Sequence, residues 1–268
     1  MEQELVTIAK FDDNFEADLA LALLVDHGIK AFLANELVYS MIPGIMPDKF
    51  FIELQVSSAD EQRAREILDA QRNNSEIRNI LLGNEAILEG HFLLTSGKHS
   101  GTYVEKIRLL QNPVAAQRVC ELLAELLEPY DFDTVVGPAY GGIVLAFEVA
   151  RILGKNFIFT QRKDEHMAIR SGFDLSEVQR AVVLEDIVTT GGSVQEVLAC
   201  LKERGIDVQA VAAIVDRGSG ADFGCPFLSL LQMEIPVWPA NDCPLCAEGI
   251  PLTKPGSSDK KASDPTTV

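Results

Sequence analysis

The hydrophobic pattern divides the chain into two regions, and the first ends near residue 72. Apolar strands and helices alternate there in the order β-α-β-β-α, which is typical of a small two-layer α+β domain of ferredoxin-like type. The predicted elements are strands 4–10, 29–35 and 49–56, a helix from Asp12 to about His27, and a helix from Ser58 to about Arg72. Between the last two strands lies VYSMIPGIMPD (38–48), an apolar loop that either contacts a ligand or partner or folds over its own sheet.

The second region alternates buried strands with helices of 10–14 residues, which predicts a mostly parallel α/β sheet flanked by helices. A helix (76–88) and two short strands (within 90–107) come first. The following elements are a helix from Pro113 to about Glu128, strands 132–137, 156–161, 181–188 and 208–216, and helices 141–154 and 193–205. The polar RNNSE (72–76) marks the boundary, so we expect domains at 1–73 and 74–255 and a disordered tail at 256–268.

Composition narrows the class of protein. The net charge of -17 repels nucleic-acid backbones, which disfavours DNA or RNA as a partner. No apolar stretch reaches the roughly 18 residues that span a bilayer, and the N-terminus lacks a signal-peptide pattern, so a cytoplasmic location is predicted. Five cysteines do not form a disulfide framework, and the pattern predicts Cys120 and Cys200 as core residues.

The segment AVVLEDIVTTGGS (181–193) carries the clearest chemistry. Ligands of parallel sheets bind beyond the carboxyl ends of the strands, where Glu185 and Asp186 close this one. The glycines and the following helix start suit a phosphate. The carboxylates would repel a phosphate and suit hydroxyl groups, alone or with a divalent cation. A ribose 5-phosphate satisfies both halves, whereas the fragment taken alone could also be a strand end and a helix cap.

Two further segments have the composition of anion-binding loops. VVGPAYGGIVLA (135–146) places glycines between a buried strand and a helix, as in an anion loop or an ordinary βα turn. TQRKDEHMAIRSG (160–172) is a basic segment in an acidic protein, and its simpler interpretation is a solvated loop.

Together these motifs resemble the type I phosphoribosyltransferases, whose signature is a hydrophobic strand, two acids and a Thr-x-Gly-x-Ser/Thr loop. Residues 85–110 resemble the N-terminal hood of the orotate phosphoribosyltransferases, and Asp216-Arg217 in IVDRGSG stands where that family places an arginine against orotate. The resemblance covers about residues 76–255 and implies a type I phosphoribosyltransferase fold. It implies that orotate and 5-phosphoribosyl 1-pyrophosphate give orotidine 5'-monophosphate and pyrophosphate in pyrimidine biosynthesis. It also implies Mg²⁺ as cofactor and a homodimer in which a mobile loop reaches the neighbouring site.

The resemblance implies roles for individual residues. The catalytic residues are Arg162, Lys163 and Asp186, of which the two cations stabilise the leaving pyrophosphate. The residues expected to bind phosphoribosyl pyrophosphate are Ala139, Tyr140, Gly141, Arg162, Lys163, Arg170, Glu185, Asp186, Thr189, Thr190, Gly191, Gly192 and Ser193. Those expected to bind orotate are Lys98, Tyr103, Thr189 and Arg217. Mg²⁺ is expected to bind through the substrate, with no direct protein ligand assigned.

Two departures from the family pattern bear on catalysis. Gly141 stands where the family often has a lysine. The basic segment lacks the family's second lysine and the glycine after His166, and Arg170 is the candidate for the missing charge. Two alternatives therefore stay open: a regulator that binds phosphoribosyl pyrophosphate without turnover, and a phosphoribosyltransferase for another base. The second is disfavoured by Arg217 and the hood.

Several other histidines and cysteines have side chains suited to catalysis or metal binding. His91 and His99 are interpreted as structural or edge contacts in preference to acids or bases, and His27 as a helix-capping or surface residue. Cys243 and Cys246 form a Cys-x-x-Cys motif. We interpret them as reduced thiols in a Pro turn, with zinc ligands or a redox pair as the alternatives. Zinc would need four ligands, and only Cys225 is a further downstream candidate unless a dimer completes the set. Residues 1–72 resemble a small putative signal-transducing domain of bacterial proteins.

Overall fold

The computed structural model describes residues 5–34, 51–94, 96–164 and 166–255. The apolar loop at 38–48 and the expected tail at 256–268 lie outside the described residues. The backbone divides into two compact units, residues 1–75 and 76–268.

The first unit has a three-stranded antiparallel sheet of order β1-β3-β2. Its elements are β1 (Leu5–Phe11), α1 (Asn14–Asp26), β2 (Ala31–Ala34), β3 (Ile52–Ser57) and the start of α2 (Glu61–Gly83). The Asp13 side chain caps α1 by accepting a hydrogen bond from the Glu16 N–H at 3.0 Å. A core that includes Leu24, Ile29 and Leu54 fills the space between helices and sheet. The predicted order of strands and helices is confirmed.

The separate helices expected at 58–72 and 76–88 are one helix, because α2 runs through RNNSE (72–76) without interruption. That stretch contains neither Gly nor Pro, so polarity alone does not end the helix. Its later turns bury Ile77 and Leu81 in the core of the second unit, which stabilises them through packing. The division between the two units therefore falls inside a helix.

The second unit is built on a six-stranded sheet of order β11-β10-β9-β6-β7-β8, parallel except for the edge strand β8. The strands are β6 (Thr134–Pro138), β7 (Asn156–Lys163), β8 (His166–Ile169), β9 (Arg180–Val188), β10 (Asp207–Asp216) and β11 (Phe227–Gln232). The helices are α4 (Pro113–Leu127), α5 (Gly141–Leu153) and α6 (Gly192–Glu203). The inner strands are apolar because each face of the sheet is covered by its own hydrophobic cluster.

A second, antiparallel sheet of order β12-β5-β4 forms the hood. It comprises β4 (Ile87–Leu93), β5 (His99–Val104) and β12 (Val237–Trp238), with the short helix α3 (Lys106–Gln111) following β5. After β12 the chain forms a 3₁₀ turn (Ala240–Asp242) and the short helix α7 (Pro244–Ala247). Among the described residues, none of the helices combines the length and apolar character needed to cross a membrane.

The basic segment 160–172, expected to be a loop, is partly a β-hairpin. Strand β7 continues to Lys163 and pairs with β8 in an antiparallel register that sets Thr160 opposite Ile169. Alternate side chains of β8 point to the same face of the sheet. Met167 and Ile169 lie on the inner face and pack against the hydrophobic cluster that covers that side of the sheet.

Candidate active site

The order of strands creates a crevice at the carboxyl ends of β6 and β9. From β6 the chain moves outward to β7 on one side and then returns to β9 on the other side. The connections after β6 and β9 therefore lead away in opposite directions, which opens a gap where parallel sheets bind ligands. Both glycine loops found in the sequence lie there.

A buried carboxylate occupies the centre of this crevice. Asp186 is 3% exposed, and its Oδ2 lies 2.6 Å from Nζ of Lys106 at the start of α3. Burial disfavours the ammonium of Lys106, but the Asp186 carboxylate outweighs this effect, so the pKa of Lys106 lies above its ordinary value. The hood thus supplies a cation to the carboxylate at the end of β9.

The neighbouring Glu185 has a strongly shifted pKa. Burial, followed by repulsion from Asp186, raises the pKa of Glu185 to about 8. Glu185 therefore carries a proton at neutral pH, and the Lys106 ammonium lies beside the acids. Both effects reduce the negative charge that a phosphorylated ligand meets, while the side chains retain oxygen atoms that bind hydroxyl groups.

The loop after β9 forms a small pocket beside the acids. A cavity of about 60 Å³ is lined by Glu185 and residues 187–194, and Thr189, Thr190 and Ser193 are all exposed to it or to solvent. Gly191 has φ of 76°, and a Cβ there would lie 2.9 Å from Ala221 and Phe223. The loop then enters α6, whose first N–H groups suit an anion.

The loop after β6 approaches the acids through glycines. A Cβ at Gly141 would lie 1.7 Å from Oδ2 of Asp186 and 3.4 Å from Nζ of Lys106. The loop includes a cis peptide between Ala139 and Tyr140, and the Ala139 N–H donates to the Thr160 carbonyl at 2.8 Å. Only glycine fits at position 141, because the backbone there lies so close to the Asp186 carboxylate. Lys106 places its ammonium beside this position, where the family often has a lysine.

The predicted orotate residues lie in two places. Arg217 follows β10, and its N–H donates to the Val188 carbonyl at 2.9 Å, which places it next to the end of β9. Its Nε is buried, and the part of the chain that the structure describes offers it no hydrogen-bond partner. Burial lowers the pKa of Arg217 and raises that of the Tyr103 phenol, and the charge of Arg217 acts on Tyr103. Lys98 instead lies exposed in the turn between β4 and β5.

The cations of the β7–β8 hairpin lie apart from the acids in this structure. Arg162 pairs with Glu196 of α6 at 2.7 Å. Lys163 and Arg170 line a separate cavity of about 620 Å³, which shares no lining residue with the pocket after β9. Their expected role at the pyrophosphate therefore stays a prediction and requires movement of the hairpin.

Sequence reasoning missed Lys106. It lies 80 residues before Asp186 and stands at a helix start with Glu105 as N-cap, so no local motif marks it. Its position immediately after the hood strand that carries Tyr103 was the one available signal.

Comparisons with known proteins identify the family. A model of the phosphoribosyl transferase domain matches residues 107–224. Orotate phosphoribosyltransferase of Thermotoga petrophila is 50% identical over 186 residues, which cover 69% of this chain and 100% of the relative. The chain belongs to the orotate phosphoribosyltransferase family. The enzyme of the same name from Caldanaerobacter subterraneus is 48% identical over 174 residues, covering 65% of this chain and 92% of the relative.

Solved structures agree with this fold. Orotate phosphoribosyltransferase from Aeropyrum pernix matches with a TM-score of 0.51 and 27% identity, covering 58% of this chain and 93% of that one. UMP synthase of Leishmania donovani has the same fold over 66% of this chain and 41% of its own, with a TM-score of 0.53 and 24% identity. The predicted fold class is confirmed. A model described as a putative prokaryotic signal transducing protein matches residues 5–72.

Proposed function

We propose that this protein transfers the 5-phosphoribosyl group of phosphoribosyl pyrophosphate to orotate, which yields orotidine 5'-monophosphate and pyrophosphate for pyrimidine biosynthesis. The family to which the chain belongs consists of pentosyltransferases. The observation that carries the proposal is the crevice between β6 and β9, where Glu185, Asp186 and a Thr-Gly-Gly-Ser loop share one edge of the sheet. This arrangement fits a sugar with a diol near the acids and a phosphate in the loop.

The crevice binds the phosphate with hydrogen-bond donors and the ribose with hydrogen-bond acceptors. The backbone N–H groups of 189–193 and the hydroxyls of Thr189, Thr190 and Ser193 bind the 5-phosphate at the start of α6. Glu185 and Asp186 accept hydrogen bonds from the ribose hydroxyls. The backbone of Ala139, Tyr140 and Gly141 lies across the crevice and contacts the pyrophosphate.

The residues present fit Mg²⁺ bound through the substrate. Oxygen donors suit this ion, and Asp186 is already paired with Lys106 at 2.6 Å, so Glu185 and Asp186 would hold the ion indirectly, through the ribose hydroxyls of the bound substrate. When bound, the ion neutralises charge on the pyrophosphate.

The transfer breaks the bond from ribose C1 to the pyrophosphate oxygen and forms a bond from C1 to N1 of orotate, which loses its proton. Positive charge grows on the sugar as negative charge grows on the leaving group. Asp186 lies on the sugar side, and Arg162 and Lys163 serve the leaving group once the β7–β8 hairpin closes. Arg170 is the additional candidate at that hairpin. Lys106 holds the Asp186 carboxylate in place through its ion pair.

Base selection tests the substrate assignment. We expect pyrophosphate release with orotate, and none with uracil or adenine, because the buried Nε of Arg217 has no hydrogen-bond partner among the described residues and suits the orotate carboxylate. Arg217→Gln should raise the KM for orotate at least about tenfold and leave that for phosphoribosyl pyrophosphate near its original value. Lys202→Gln, on the surface of α6, is the control. Turnover with another base but not orotate would reject this substrate.

We propose a homodimer as the working form. Tyr140, Val144 and Phe147 recur at helical spacing along α5 and are 89%, 49% and 56% exposed, which is a large apolar face for a lone chain. Light scattering should give about twice the chain mass of 29.3 kDa, and Phe147→Glu should reduce it to that mass. A wild-type protein of single-chain mass would contradict the dimer.

We propose that residues 1–73 form a regulatory domain beside a catalytic domain at 74–255. The Thermotoga relative is covered in full by 186 residues of this chain, which supports a catalytic domain that is shorter than the whole chain. Deletion of residues 1–73 should preserve turnover and abolish its response to an effector. None of the five cysteines, all of which lie in the described residues, forms a disulfide, which supports a cytoplasmic location.

A further inference from the structure

A cluster of two histidines and two cysteines lies at the edge of the hood. His91 belongs to β4 and His99 begins β5, while Cys243 and Cys246 flank and enter α7. One ligand atom from each side chain lies within 4.8 Å of the other three. His91, His99 and Cys243 are buried, and Cys246 is exposed. The four residues come from segments about 150 positions apart, so the tertiary fold alone brings them together.

The distances are those of the corners of a metal tetrahedron. Zn–S and Zn–N bonds of about 2.3 and 2.0 Å with tetrahedral angles place neighbouring ligand atoms about 3.3–3.8 Å apart. The Sγ of Cys243 lies 3.4 Å from Nε2 of His91. The Sγ of Cys246 lies 3.7 Å from that nitrogen and 3.3 Å from Nδ1 of His99. The two ring nitrogens lie 2.9 Å apart, slightly inside the range.

A hydrogen bond on the far side of one ring sets its protonation. Nδ1 of His91 lies 2.7 Å from the Ile250 carbonyl oxygen, which can only accept, so this nitrogen carries the proton. The Nε2 lone pair then points into the cluster. This is the outer contact that orients metal-binding histidines.

A metal-free network accounts less well for the same atoms. The Nε2 lone pair of His91 faces one nitrogen and two sulfur atoms, all potential donors, and it can accept fully from only one. A cation at the centre uses one lone pair from each of the four residues. Two thiolates and two imidazoles in a tetrahedron favour zinc over magnesium or calcium, which prefer oxygen ligands.

We propose that His91, His99, Cys243 and Cys246 bind one structural zinc ion. Four protein ligands leave no open position, so the ion has no part in the transfer reaction. It cross-links the segment around α7 to the β4–β5 hairpin. Tyr103 lies in β5, and Lys106 follows that strand at the start of α3. The same segment is also held by the Thr253 N–H, which donates to the His91 carbonyl at 2.7 Å. The proposed site lies within one chain and does not include Cys225, and the interpretation of Cys243 and Cys246 as reduced thiols in a Pro turn is its alternative.

Metal analysis of the full chain tests the proposal. Protein expressed without a histidine tag and dialysed against metal-free buffer should contain about one zinc per chain, and Cys246→Ser should contain less than about a tenth of that. Cys246 is exposed, so its replacement leaves the core packing intact. Cys225→Ser, at a half-buried thiol outside the cluster, is the matched control and should keep its zinc.

A second readout needs no variant. Wild-type protein stripped with a chelator and refilled with Co²⁺ should show the visible absorption of a tetrahedral site and a thiolate-to-metal band, and stripping should lower the melting temperature reversibly. The proposal is overturned if the wild type holds no zinc after refilling, if Cys246→Ser retains the full amount, or if the freshly purified protein contains a Cys243–Cys246 disulfide.

Discussion

Asp186→Asn is expected to lower kcat about 10²- to 10³-fold, the range typical for removal of one preorganised charged group from an active site. The side chain is buried at the end of β9, and its Oδ2 forms an ion pair with Nζ of Lys106 at 2.6 Å. The amide has nearly the same shape but lacks the negative charge that faces the positive sugar in the transition state. Initial rates at saturating substrate measure the loss.

Two variants make this result interpretable. Asp207→Asn, at the exposed opposite end of β10, should keep wild-type turnover. Lys106→Gln should lose at least about tenfold, because Asp186 then lacks its cation. An Asp186→Asn protein that retains its fold and turns over within about twofold of wild type would remove this carboxylate from the mechanism.

Gly141→Ala is expected to reduce turnover by a comparable factor and to destabilise the protein by about 1–3 kcal/mol, as overpacking of a filled site does. The added Cβ would lie 1.7 Å from Oδ2 of Asp186, so either the loop or the carboxylate must move. Gly141→Lys should be no better, because Lys106 already places an ammonium in that space. Thermal unfolding and turnover of both variants check the expectation.

Gly83→Ala is the matched control for this loop. Its Cβ would meet no atom within 4 Å, so its stability and turnover should equal or slightly exceed those of the wild type. A Gly141→Ala protein with wild-type turnover would show that the contact between the loop and Asp186 is not needed for catalysis.

The sheet and its ligand edge could be predicted because their signals are local. Continuous apolar runs mark buried parallel strands, and polar residues that follow such a run mark its carboxyl end. Glu185 and Asp186 therefore stood out against the apolar strand. The N-terminal order of elements was predictable for the same reason.

The features that sequence reasoning missed depend on distant residues. The Lys106–Asp186 pair joins a helix start to a strand end, and neither carries a motif for the other. The histidine–cysteine cluster joins hood strands to the segment around α7, so the CPLC motif alone points to Cys225 and not to the histidines as further ligands. At 72–76 a polar stretch looked like a linker, although the buried Ile77 and Leu81 continue the helix.

The most direct measurement follows orotate absorbance with the purified full-length protein, phosphoribosyl pyrophosphate and Mg²⁺. The account predicts a steady loss of orotate with one pyrophosphate released for each orotate consumed, and a rate reduced about 10²- to 10³-fold in Asp186→Asn. Binding of phosphoribosyl pyrophosphate without any loss of orotate would contradict the enzyme and favour a regulator that senses this sugar phosphate.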